Sequence, residues 1–314
     1  KLQDLSQRTP ASRKIPQTAP NPGCIRKRAK ELADVGGKVI HIAEIDPITV
    51  ISPHSHVNAV TRQRNFLISM LVVAVANIGG PANSVKLILS GMALGALAMT
   101  TDEAARKGAG IPLENVTHIP APYMFPELDT IQYMETLLED DHSRVETPAA
   151  LVVEAVQAEG GIYVLPTEWL QRARAFCDKY GILMILDELQ VGNCRTGTFF
   201  AFERAGIQPD IVTMAKSIGG MGMPFALTLF RPELDIWSPG EHNGTFRGFQ
   251  LATVAGKAGL EFMLQNNLEA EVRRKSAIVD QYLAEHLPAI SDKLSYRGIG
   301  LIWGIDFGAY PEGT

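Results

Sequence analysis

The sequence predicts an α/β protein: a large, mostly parallel sheet with helices on both faces, joined to a smaller α/β domain. Three observations carry this. First, residues 149–153, 182–186, 211–214 and 225–230 are apolar runs of strand length, the last two interrupted only by Thr213 and Thr228, the pattern of strands buried on both faces. Second, a segment of helical periodicity separates the first two runs, and two longer ones follow the last. Third, Gly181 separates the first helical segment from the run that follows it, and Gly219-Gly220-Met221-Gly222 follows the run 211–214.

Taken in order, residues 1–60 are rich in Pro, Arg and isolated His and carry weak structural signals, except that Gly36-Gly37-Lys38 reads as a turn entering a strand at 39–42. The apolar stretch 66–78 is too short to span a bilayer and suits a core helix or strand. From about residue 85 strands and helices alternate. A strand over 149–153 delivers Glu154 at its end. Thr167 is placed to cap a helix whose apolar positions Trp169, Leu170, Ala173 and Phe176 recur at helical spacing. Gly181 stops that helix and the next strand begins at once. Strands at 211–214 and 225–230 follow, then helices over about 250–264 and 268–287, then a final strand within 298–307. Domains are expected at 1–45 (N-terminal part of the small domain), 46–265 (large domain) and 266–314 (C-terminal part of the small domain, incomplete at Thr314).

Composition narrows the class. Hydrophobic residues make up 46% and charged residues 20%, too apolar for a disordered chain. A net charge of -5 gives no electrostatic case for nucleic acid, and the cluster Arg26, Lys27, Arg28 and Lys30 suits a solvated helix face. Cys24, Cys177 and Cys194 lack paired spacing, which argues for a reducing compartment and against a zinc knuckle. His54 and His56 have no nearby carboxylate or cysteine, so no metal site is expected. With no apolar leader at the start, a soluble cytoplasmic protein without a membrane partner is expected.

The chemistry concentrates at two strand ends. Asp187 closes the run Ile182-Leu183-Met184-Ile185-Leu186, and Lys216 follows Ile211-Val212-Thr213-Met214-Ala215. Ligands of open α/β sheets bind outside the C-terminal ends of the strands. Asp187 alone could equally cap a helix. An Asp-Glu pair after four apolar residues also suits an ATPase strand, but Gly36-Gly37-Lys38 runs into Val39 without the hydroxyl a phosphate loop needs. Lys216 precedes Gly219-Gly220-Met221-Gly222, where the backbone can be closely approached. A desolvated lysine has its ammonium form disfavoured and can attack a carbonyl. An aspartate and a lysine delivered together are what a pyridoxal phosphate enzyme requires, one for the ring nitrogen and one for the Schiff base.

Four segments resemble the class III, pyridoxal phosphate-dependent aminotransferases. Asp187-Glu188-Leu189-Gln190-Val191-Gly192-Asn193-Cys194-Arg195-Thr196-Gly197 is similar to their Asp-Glu-Val-Gln-x-Gly-x-Gly-Arg-Thr-Gly segment. Asp210 to Ser217 resembles their cofactor-lysine strand, and Glu154-Ala155-Val156-Gln157-Ala158-Glu159-Gly160-Gly161 their Glu-Pro-Val-Gln-Gly-Glu-Gly-Gly. Gly240 to Gly248 is similar to the diaminobutyrate–2-oxoglutarate aminotransferases, especially those of ectoine biosynthesis. The resemblance runs from about Gly91 to Phe307.

It implies the fold type I architecture of these enzymes and a ping-pong transfer of the terminal amino group between L-2,4-diaminobutyrate or aspartate semialdehyde and 2-oxoglutarate or glutamate. It also implies pyridoxal 5'-phosphate as cofactor. Lys216 would carry the Schiff base and shuttle the proton; Asp187 would pair with the ring nitrogen; Gln190 would bond near the phenolic oxygen. Thr245 would reach the cofactor phosphate of a neighbouring subunit, which implies a homodimer with shared active sites, its pairing into tetramers left open. Glu154 would line the substrate pocket, and Arg247 is a candidate for a substrate carboxylate, equally readable as half of a structural ion pair. Another omega-aminotransferase, an aminomutase, a racemase, or a non-catalytic protein on the same fold are the alternatives.

The sequence also departs from the family. Gly80-Pro81 runs directly into Ala82-Asn83-Ser84-Val85, where relatives have Gly-Pro-Thr-Gly-x-Asn-Ser-Val. Ser90-Gly91-Met92-Ala93-Leu94-Gly95 lacks the aromatic and histidine expected there. Either the cofactor cradle has degenerated, or loops are missing from between joined flanks; the undamaged Asp187 and Lys216 segments favour the second.

Overall fold

The computed structural model describes residues 40–41, 94–100, 106–107, 109, 116–143, 145–220, 222–236 and 248–307, all within one compact unit, Lys38–Thr314. The expectations for 1–39 and 42–93 therefore lie outside the described residues, as do Thr245 and Arg247.

Strand β1 (Ile40–His41) opens the sheet, where the sequence places a strand. Helix α1 (Leu94–Met99) is closed by Arg106, whose Nη1 donates to the carbonyls of Leu97, Ala98 and Thr100 at 3.3, 2.9 and 2.9 Å. Helix α2 (Thr130–Glu139) starts where Asp129 Oδ1 accepts from the amides of Ile131 and Gln132, satisfying two of the free N–H groups of its first turn. Next come β2 (Ala150–Val153) and a two-stranded hairpin of β3 (Val156–Gln157) and β4 (Tyr163–Val164).

Helix α3 (Thr167–Tyr180) corrects one expectation. Thr167 is its first residue, not its cap; Pro166 occupies the cap position without a side-chain bond, and Thr167 Oγ1 instead accepts from Arg204 Nη1 at 3.2 Å. Leu170, Ala173 and Phe176 are buried as the spacing implies, whereas Trp169 is half-buried and donates Nε1 to Thr130 Oγ1 at 2.7 Å. Gly181, at φ 64, ends the helix in a left-handed conformation that costs glycine nothing.

Strands β5 (Leu183–Asp187), β6 (Ile211–Met214) and β7 (Leu227–Phe230) complete a sheet of order β1-β7-β6-β5-β2. β2, β5 and β6 are parallel; β7 is antiparallel to both β6 and β1, so four of the five strands point the same way. Successive residues of a strand face opposite sides, and Leu183, Met184, Ile185 and Leu186 are all buried, so both faces of β5 are covered. Helices α4 (Gln250–Gln265) and α5 (Leu268–Ile290) follow; α5 runs through Pro288, one turn beyond the expected stop. The last element is an antiparallel hairpin, β8 (Ser295–Ile299) and β9 (Ile302–Asp306). The sequence reading found only its second strand.

Candidate active site at the strand ends

Three neighbouring parallel strands each deliver one ionisable side chain at the same edge of the sheet. Asp187 is the last residue of β5, Glu154 follows the last residue of β2, and Lys216 lies two residues past β6. The register aligns them, pairing Val153 with Leu186 and Asp187 with Thr213.

The Asp187 carboxylate is costly as an anion. Its residue keeps some exposure, yet desolvation pushes its pKa up to about 8, the charge of Glu154 adds to this, and a hydrogen bond from the Leu189 amide and the charge of Lys216 only partly oppose it. Leu189 N donates to Oδ1 at 2.9 Å, and among the described residues no lysine or arginine forms an ion pair with Asp187. Glu154 is also pushed up by burial, although Oε2 accepts from Ala158 N at 3.2 Å. Lys216 exposes much of its side chain, but desolvation at the amine draws its pKa down against the pull of Glu159, Asp187 and Glu154.

Lys216 also sits at φ +56, in the left-handed region that side chains rarely adopt. Such strain persists only where surrounding structure enforces it, and it concentrates at functional sites. The enforcement is visible. The 3-10 turn Lys216–Gly219 packs backbone to backbone on α4: a Cβ at Gly220 would meet Ala255 O at 2.4 Å, and one at Gly256 would meet Ile218 O at 2.7 Å. On the other side, Asn193 Nδ2 donates to Ser217 Oγ at 3.0 Å.

The loop 188–197 is itself pinned. Glu188 is fully buried and accepts from the amides of Ala201 (3.0 Å) and Phe202 (3.2 Å); burial pushes its pKa up to about 8. Gly300 at the tip of the β8–β9 hairpin abuts the loop, and Leu301 N donates to Arg195 O at 2.8 Å.

Gln190, expected near the phenolic oxygen of a cofactor, donates Nε2 to Glu159 Oε1 at 2.8 Å. Glu159 was given no role from the sequence, yet its charge acts on Lys216. Thr245, Arg247 and the segment around Gly80-Pro81 lie outside the described residues.

The sequence profile of the class III aminotransferases matches residues 85–312. The chain belongs to the class III aminotransferases. It is 50% identical over 217 residues to a diaminobutyrate–2-oxoglutarate transaminase of Halalkalibacterium halodurans, covering 68% of this chain and 51% of that one. A Streptomyces coelicolor protein of the same name is 48% identical over 221 residues, covering 69% and 52%. The chain thus spans about half the length of the curated relatives it matches. Among solved structures, an (S)-enantioselective omega-transaminase from Thermomicrobium roseum aligns with TM-score 0.60 at 30% identity, covering 68% of this chain and 50% of that chain. A taurine:2-oxoglutarate aminotransferase from Bifidobacterium kashiwanohense, TM-score 0.59 at 23% identity, covers 89% and 68% and supports the fold alone.

The class III family uses pyridoxal 5'-phosphate, and two features of this site suit that group. Asp187 is a desolvated carboxylate that, among the described residues, forms no ion pair with a lysine or arginine and feels Lys216 only through its charge, so a protonated ring nitrogen would satisfy it. Lys216 is an amine held in place by strain and biased toward its neutral form, as attack on a carbonyl requires.

Proposed function

We propose that the protein is an aminotransferase moving the terminal amino group between L-2,4-diaminobutyrate or aspartate semialdehyde and 2-oxoglutarate or glutamate, with pyridoxal 5'-phosphate as cofactor. The observation that carries the reading is the convergence of Asp187, Lys216 and Glu154 on three adjacent strand ends, with desolvation drawing the Lys216 amine toward its neutral form. The choice of substrates rests on relatives at 44–50% identity that bear this name.

The cofactor, when bound, supplies the electron sink for breaking the C–H bond beside the transferred nitrogen. The chain's own residues do the rest. Asp187 holds a proton on the ring nitrogen. The Lys216 amine would move the proton between the substrate carbon and the cofactor C4′. Gln190, which bonds Glu159, would hydrogen-bond near the phenolic oxygen, and Glu154 would line the substrate pocket and act as a gate for a cationic or carboxylate partner. Arg247 is offered as a contact for a substrate carboxylate. Thr245 is offered as a phosphate contact across a homodimer whose active sites are shared, with tetramers left open.

The large cofactor-binding domain is assigned to 46–265, and the small domain to 1–45 and 266–314. A cytoplasmic location is supported by buried free thiols at Cys177 and Cys194.

The test is a steady-state comparison of L-2,4-diaminobutyrate with ornithine, 4-aminobutyrate and acetyl-ornithine as donors to 2-oxoglutarate. The reading expects kcat/KM for diaminobutyrate to lead by at least tenfold. A preference for another donor would redirect it to a different omega-aminotransferase. No turnover with any donor would favour the non-catalytic alternative.

A further inference from the structure

The segment from Glu154 to Leu165 carries two of the carboxylates that act on Lys216, and it is held at both ends by arginines distant in sequence. At its base, Arg204 Nη2 donates to Ala155 O at 3.1 Å and to Leu165 O at 2.5 Å. At its tip, Arg297 from β8 donates Nε to Gly161 O at 2.6 Å, bonds Asp306 Oδ2 through Nη1 at 2.6 Å, and lies 4.0 Å over the Tyr163 ring. Tyr163 stacks on Tyr123 with centroids 3.7 Å apart, and the Tyr123 hydroxyl donates to Gln157 Oε1.

The tip is strained. Gly161 has φ +117, and Ile162, a β-branched residue, has φ +60. The C-terminal hairpin leaves room for this conformation, because a Cβ at Gly304 would sit 3.1 Å from Ile162 Cγ1. Glu159 lies just before this strained turn, and its bond to Gln190 ties the turn to the candidate site.

We propose that Arg297 is a positioning residue for the candidate site: from the C-terminal hairpin it holds the Gly160–Tyr163 turn and thereby fixes the Glu159 carboxylate against Gln190. This rests on the aminotransferase reading. A rigid pair of carboxylates beside Lys216 sets the fit of a donor bearing a second ammonium group, so loosening the turn weakens donor binding more than turnover.

The test uses the full chain loaded with cofactor. Hydrogen exchange is followed at the amides of Gly161 and Ile162, both of which donate to Ala158 O, with β5 as the internal control. Arg297→Met should speed exchange in 158–163 at least tenfold and leave β5 unchanged. It should also raise KM for L-2,4-diaminobutyrate about tenfold, with kcat within threefold. Arg297→Lys keeps the charge but cannot bridge and stack together, so it should behave like the methionine variant. In a cycle with Glu159→Ala, the combined KM effect should fall short of the product of the single effects. Should Arg297→Met not fold, Gly304→Ala presses on Ile162 and should give the same pattern.

Unchanged exchange at the turn, faster exchange with unchanged KM, or fully multiplicative KM effects would each overturn the proposal. A wild-type protein without transamination would instead remove the proposed function, and the exchange experiment alone would then decide what Arg297 holds.

Discussion

Replacing Asp187 by Asn should stabilise the cofactor-free protein while disabling the enzyme. The folded-state pKa of Asp187 lies near 8 against an ordinary 3.8, so below pH 4 the carboxyl is protonated in both states and costs nothing. Between pH 4 and 8 the folded state retains a proton that the unfolded chain releases. Wild-type stability therefore falls as pH rises through this window and is flat above it, by at most roughly 1.4 kcal/mol per pH unit for one proton. Carried in full to pH 7.5, the penalty would reach about 5 kcal/mol. Water reaching the partly exposed carboxylate and relaxation around it reduce this to about 1–3 kcal/mol. Asparagine does not titrate, matches the carboxylate in size, and keeps an oxygen for the Leu189 amide. Urea unfolding of cofactor-free wild type and Asp187→Asn at pH 5, 6.5 and 8 is the assay. The variant's advantage should grow with pH across the series. Equal stabilities at every pH, or a less stable variant at pH 8, would refute the claim that Asp187 is an uncompensated buried acid. In the loaded enzyme the same substitution should lower kcat by at least about 10²-fold, because losing the charge that keeps the ring nitrogen protonated should cost at least the lower end of what acid–base steps contribute.

Other consequences can be checked directly. Gly220→Ala places a Cβ 2.4 Å from Ala255 O and must push α4 from the lysine turn, so it should lower stability by about 1–3 kcal/mol and kcat more than tenfold, read by unfolding and turnover. Glu188→Ala strands the buried amides of Ala201 and Phe202 and leaves a cavity, and should cost about 2–4 kcal/mol in chemical denaturation. Met184→Ala, in the centre of β5, should cost about 2–5 kcal/mol without changing donor preference.

The sheet was legible where the chain changes character abruptly. Apolar runs ending beside Glu154, at Asp187 and beside Lys216 mark strands, although the edge strand β2 exposes Val152 where burial on both faces is expected, and Gly181 marks a helix end, because these are local effects of solvation and backbone freedom. Thr167 misled because its hydroxyl suits a cap, whereas Pro166 takes that position and Arg204 takes the hydroxyl. The strand Ser295–Ile299 was missed because Ser-Tyr-Arg-Gly-Ile has neither an apolar run nor a clean alternation. Arg297 and its partner Gly161 are 136 residues apart, and no local pattern encodes that contact. Glu159 has no role that the sequence alone assigns, and its bond to Gln190 places it by the site. The strain at Lys216 and Ile162 arises from packing by α4 and the C-terminal hairpin, which only the three-dimensional arrangement reveals.

The central claim is that Lys216 is the amine that bonds the cofactor. Loading the protein with pyridoxal 5'-phosphate, reducing it with borohydride and mapping the modified peptide by mass spectrometry tests this most directly. The account predicts one reduced adduct, on Lys216, absent from Lys216→Ala, which should also lack transaminase activity. An adduct on any other lysine, or full labelling of Lys216→Ala, would contradict it.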